Sequence, residues 1–111
     1  RTSPFHAAAE EFARREGVHL VQPAAQSLSD FVGASGKLAG KTIDFMFTSS
    51  NTSRSAGSAW VKAENSFFEH VAKYDVVVLQ MRNLSKAQIA DVMRWIGALS
   101  SEDQAKIKYL N

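Results

Sequence analysis

The run Val76-Val77-Val78-Leu79 constrains the fold more than any other stretch of this chain. Successive side chains of a strand point to opposite faces, so four apolar residues in a row leave neither face for water. Such a strand lies inside a sheet that is covered by helices on both sides. The flanking sequence supplies helices. Trp60, Ala63, Phe67, Phe68 and Val71 recur at helical spacing, which predicts a helix over 59–73 that ends at Tyr74 and Asp75. Ser85-Lys86-Ala87-Gln88 is a capping box. It opens a helix whose buried stripe is Ile89, Val92, Met93, Ile96 and Leu99, with Trp95 only partly buried.

A second strand lies within Gly40–Asn51. From Lys41 to Phe47 polar and apolar residues mostly alternate, so Ile43, Phe45 and Phe47 are expected on one buried face. Thr42, Asp44 and Met46 are expected on the other. Asp gains little from a pleated surface, so Asp44 in mid-strand is either a solvated side chain or a carboxylate placed to hold a metal or act as a base. After it, Thr48–Ser58 is almost all Ser, Thr, Asn, Gly and Ala around Arg54, a connection or a lining for phosphate.

At the N-terminal end, residues 2–16 predict a helix capped by Thr2 or Ser3, with Pro4 in the first turn and Gly17 as its stop. A short strand is expected over 18–22, closed by Pro23. Residues 24–40 read as a loop with one helical turn over 28–32. At the other end a helical turn from Ser101 leads into an edge strand over 105–110, where Lys106 and Lys108 discourage further pairing. The expected class is α/β (α+β), one small central mixed sheet flanked by helices. With 111 residues the chain can bury a single core, so 1–111 is read as one domain. It begins at Arg1 without a signal-peptide pattern and is expected to be a piece of a longer protein.

No apolar run is long enough for a membrane-spanning helix. The absence of Cys rules out disulfides and thiolate metal sites. A net charge of +2 and a pI near 9.1 lean toward nucleic acid. His6, His19 and His70 are scattered and read as structural or exposed. The chemistry is expected from Asp44, Lys62 and Glu10 or Glu11, converging at one edge of the sheet. That is the inventory of metal-assisted phosphodiester cleavage, in which carboxylates hold a divalent ion and a lysine balances developing charge. Lys41 and Arg54 are candidates to steady a nucleic-acid backbone. Two other readings compete: a flavodoxin-like domain with a phosphate or flavin cradle over Phe47–Trp60, and an interaction module without activity.

Three segments carry a resemblance. Ala7–Gly17 followed by Val18–Pro23 is an Ala-rich helix running into a strand that ends in Pro. Gly40-Lys41-Thr42-Ile43-Asp44-Phe45 is a Gly-Lys-x-x-Asp-aromatic run. Phe67–Tyr74, Val76–Leu79 and Ser85–Leu99 make a helix, an apolar strand and a helix. Together they resemble the C-terminal nuclease (tRNase) toxin domains of bacterial contact-dependent growth inhibition proteins, which are restriction-endonuclease-like. The resemblance implies a PD-(D/E)xK-like nuclease core, with Asp44 as metal-binding carboxylate, Lys62 as catalytic lysine and Glu10 completing the site. It also implies a divalent metal such as magnesium, a tRNA substrate and a cognate immunity protein. The domain would be delivered by a secreted or cell-surface bacterial protein and act in the cytoplasm of a target cell. The chain departs from the family pattern at Ile43, where the family has Pro, and in having no Asp or Glu between Asp44 and Glu64. The helix-one member stays open among His6, Glu10 and Glu11.

Overall fold

Strand β4 (Val76–Leu79) is buried at all four positions and is flanked on both sides by other strands. The computed structural model describes residues 3–22 and 30–110. Helix α1 (Pro4–Glu16) is followed by β1 (Leu20–Val21), β2 (Asp30–Gly33) and β3 (Thr42–Met46). Helix α2 (Ser58–Lys73) leads to β4, then α3 (Lys86–Gly97), the short α4 (Ser101–Gln104) and β5 (Ile107–Tyr109). The sheet order is β1-β2-β3-β4-β5. Pairs β1/β2 and β2/β3 are antiparallel, and β3/β4 and β4/β5 are parallel. The mixed sheet is the expected class. Its two antiparallel pairs exclude the all-parallel sheet that a flavodoxin-like domain needs.

Two cores follow from the strand alternation. Ile43, Phe45, Val76 and Val78 pack under Ala8, Ala9 and Phe12 of α1. Met46, Val77 and Leu79 pack under Phe67 and Val71 of α2 and Val92, Trp95 and Ile96 of α3. Two successive parallel crossovers that step the same way along the sheet, with the usual right-handed sense, put both helices on one face. The other face is left to α1. Ser3 caps α1 through its Oγ, Gly17 ends it at φ 65°, and the Ser85–Gln88 capping box is formed.

Several expectations are corrected. The loop reading of 24–40 fails at Asp30–Gly33, which is β2, in register Asp30 to Asp44, Phe31 to Ile43 and Val32 to Thr42. The helical turn expected over 28–32 falls partly outside the described residues, and its described part, from Asp30, is extended. Gly33 is not loop punctuation: a Cβ there would lie 1.8 Å from the Leu38 carbonyl oxygen, so only glycine lets these backbones meet. The strand over 18–22 shortens to two residues.

Phe47 does not share the face of Ile43 and Phe45. Its φ of 63° turns the chain over, and the ring joins Met46 in the second core. On α3, Trp95 is buried at 4% exposure while Met93 is exposed at 49%. The stripe is Gln88, Ile89, Val92, Trp95, Ile96 and Leu99, turned toward Trp60 and Phe67, whose rings lie tilted against Trp95 at 5.1 and 5.7 Å.

Candidate nuclease site

Asp44 occupies the middle of β3 on the face toward α2, and nothing of its side chain reaches water. It is neither the solvated residue nor the open carboxylate expected. His70 of α2 meets it: imidazole Nδ1 lies against Asp44 Oδ2 as a close ion pair, with the His70 side chain 31% exposed. The contact is an ion pair without hydrogen-bond alignment: Asp44 Oδ1 and Oδ2 and His70 Nδ1 have no aligned hydrogen-bond partner among the described residues. The Asp44 carboxylate set against the His70 ring N–H holds the His70 pKa above its ordinary value. Burial opposes this, the Asp44 charge adds to it, Lys73 works against it and Glu69 with it. The ring also packs edge-on against Tyr74 at 5.6 Å. His70 was missed in the sequence because it is isolated there. Its signal is the spacing of Phe67, His70, Val71 and Tyr74, which puts the imidazole inside the buried stripe of α2.

The exposed part of His70 lines a cleft of about 290 Å³ at the carboxyl end of β3. Phe5 of α1, the strand end from Phe45 to Ser49, Thr52, and Ala63 and Ser66 of α2 form the rest of its wall. In open sheets with parallel strands, ligands bind outside the carboxyl ends of those strands. The Ser/Thr-rich loop that borders the cleft is pinned. Asn83 Nδ2 donates to the Phe47 carbonyl at 2.8 Å, and Gln88 Nε2 donates to the carbonyls of Thr52 and Ser55 at 3.0 and 3.1 Å. Trp60 lies beside the Phe47 ring at 5.9 Å and donates its indole N–H to Asp91 at 2.8 Å. A bulky residue at positive φ is strained, and this strain sits where the chain turns into the cleft.

The expected site residues are only partly brought together. Lys62 is exposed on α2, and its spacing from Ser66 and His70 puts it on the cleft side of the helix, about 12 Å of helix rise from His70. Arg54 is exposed on the turn Thr52–Arg54 beside the same cleft. Lys41 is exposed before β3, at the far end of the strand from the cleft, roughly 20 Å along it from Phe47.

Glu10 lies elsewhere, on a larger cleft of about 580 Å³ between α1, β1 and β2, together with His6, Arg14 and His19. Glu11 takes a two-pronged bond from Arg82 at 2.7 and 3.3 Å and another from Arg15 at 2.7 Å, which hold its pKa low.

A divalent metal at Asp44 needs further donors. Magnesium takes oxygen ligands in a near-octahedral shell and keeps several waters. Among the described residues no three His, Asp or Glu side chains gather in a way that could hold a metal. Among the described side chains the one carboxylate at this place, Asp44, is sealed beneath His70, so the described donors do not complete the shell of such an ion and no step is assigned to it. What the arrangement offers is an imidazole fixed at Nδ1 by a buried carboxylate and open on its other side, the form in which histidine transfers protons.

Residues 5–110 match the family model of the CdiA C-terminal tRNase domain. The tRNA nuclease CdiA of Burkholderia pseudomallei is 36% identical over 106 residues, which take in 90% of this chain and 8% of that protein. The chain therefore spans a small part of the curated relative it matches. A CdiA-CT toxin from Burkholderia pseudomallei E479, solved in complex with its cognate CdiI immunity protein, is 32% identical and matches with a TM-score of 0.82. That match covers 98% of this chain and 100% of the toxin chain.

Proposed function

The chain belongs to the CdiA C-terminal tRNase domain family, and from that premise we propose that it is a nuclease toxin domain that cuts tRNA. One observation carries the reading. Nearly the whole of this chain corresponds to the whole of a toxin that was solved bound to its immunity protein. A cognate immunity protein is accordingly its proposed partner. Its proposed setting is the end of a large bacterial surface effector, with the cut made in the cytoplasm of the target cell.

The cleft beside β3 is the proposed place of cleavage. Cutting a phosphodiester requires a proton for the leaving oxygen and positive charge near the phosphoryl oxygens. His70 is the proposed proton donor, since Nδ1 is taken by Asp44 and Nε2 is left for the substrate. Asp44 positions the ring and keeps it protonated. Lys62 and Arg54 supply charge from the two sides of the cleft, and Lys41, at the far end of β3, is left to a more distant phosphate.

The test is induced expression in bacteria of the native domain, Asp44→Asn and His70→Gln, each with and without the immunity gene, followed by gels of total RNA. Growth arrest with discrete tRNA fragments is expected from the native domain alone, and co-expressed immunity protein should abolish it. Intact tRNA and normal growth with soluble, folded native protein would refute the reading.

A further inference from the structure

The two clefts stand back to back. Phe5 lines the His70 cleft, and the next residue, His6, lines the larger one. The partition beneath them is a pair of rings: Phe45 faces the first cleft and Phe31 the second, with centroids 5.4 Å apart. The larger cleft is also built in advance. His6 is fixed at both ring nitrogens, by Ser3 Oγ at 2.7 Å and Gln22 Oε1 at 3.0 Å, and its edge meets the Phe31 ring at 5.8 Å.

The lining of the second cleft suits a flat, partly polar group. Val18, Leu20 and Phe31 give it an apolar floor. Glu10 and Arg14, four residues apart on α1, stand over that floor on one side of the helix. Proteins that read single-stranded RNA splay a base out, cover its face with apolar or aromatic groups and bond its edge. Glu10 is an acceptor only and Arg14 a donor only.

We infer that this second cleft binds an unpaired guanine next to the phosphate held at His70, with Glu10 reading its pairing edge; this rests on the tRNase reading above. Guanine is the base whose pairing edge offers two adjacent N–H donors, N1–H and the N2 amino group, to one carboxylate. Its O6 and N7 are acceptors that an arginine can meet. Adenine puts a ring acceptor where N1–H would be and would face the carboxylate with a lone pair. Glu10, expected in the sequence to do chemistry, thus takes a part in choosing where the chemistry occurs.

The experiment uses single-stranded RNA copies of the native cut site, with guanine, inosine or adenine placed in turn at each nucleotide beside the cut. Relative kcat/KM is read for the native domain, Glu10→Gln and Glu10→Asp. At one position the native domain should prefer guanine over adenine by about tenfold or more, the scale of one good bidentate base contact. Inosine, without the amino group, should fall between them. Glu10→Gln should bring the guanine-to-adenine ratio close to one, and Glu10→Asp should restore part of it. Glu10 is exposed, so both variants should keep the native circular dichroism spectrum. A native preference that survives in Glu10→Gln, or no preference at any position, would overturn this inference and leave the nuclease standing. A native domain that cuts no RNA would overturn both.

Discussion

Replacing Asp44 with Asn keeps the size of a fully buried side chain and removes its charge. His70 then loses the carboxylate partner that raises its pKa above 6.5. A group whose pKa is higher in the folded state strengthens folding while it is protonated. The contribution of this pair is fully present below the unfolded value near 6.5 and is lost as pH rises through the higher folded value. Hydrogen bonds to charged groups contribute about 1.5–3 kcal/mol. His70 is 31% exposed and the atoms of the pair are not aligned as a hydrogen bond, so the lower part of that range applies, about 2 kcal/mol.

For a domain of this size 1 kcal/mol moves the midpoint by about 4 °C. Asp44→Asn should therefore lower Tm by about 8 °C near pH 5.5. Near pH 9 the native protein holds a buried carboxylate beside a neutral ring, and a neutral amide is then no worse. The difference should shrink to a degree or two or change sign, as when buried ion pairs give way to neutral groups. Thermal unfolding followed by circular dichroism at the two pH values measures both numbers. An equal fall in Tm at both would show that Asp44 contributes by packing and not through His70, and would refute the reasoning.

Gln88→Ala removes two bonds to the loop carbonyls of Thr52 and Ser55 and the capping-box bond to Ser85 N. It should cost about 2 kcal/mol and speed amide exchange over 48–57 more than elsewhere; uniform protection along the chain would contradict the pinning of that loop. Phe47→Gly sets two effects against each other. Relief of the positive φ is worth about 1–2 kcal/mol, while loss of a buried aromatic ring costs about 3–5 kcal/mol, so urea unfolding should show net destabilisation, and a gain would mean that strain outweighs packing. Magnesium should leave the Tm of the free domain unchanged, because a ligand stabilises only the state that has a site for it. A rise of several degrees at millimolar magnesium would show that the donor set is complete.

The expectations that survived rest on patterns with one physical solution. Four apolar residues in a row, bounded by a helix end at Tyr74 and a capping box at Ser85, are too short for a buried helix and make a doubly covered strand, and a capping box or a left-handed Gly17 starts or stops a helix by local bonds. The failures are places where a distant part of the chain decides. Gly33 has the look of a loop residue until the Leu38 carbonyl is brought against it. Helical periodicity leaves Met93 and Trp95 nearly equal claims on the core, and the choice falls to Trp95 because Trp60 and Phe67 wait across the interface.

The site is harder to read for the same reason carried further. Glu10 and Glu11 are neighbours with identical side chains, but one residue along a helix is a rotation of about 100°. One of them therefore borders a cleft while the other is tied up by Arg82 and Arg15. His70 gains its character from a carboxylate on a different element, which the β3–α2–β4 crossover lays beneath it. Composition says which chemistry is in stock; only the topology says which two side chains share a proton.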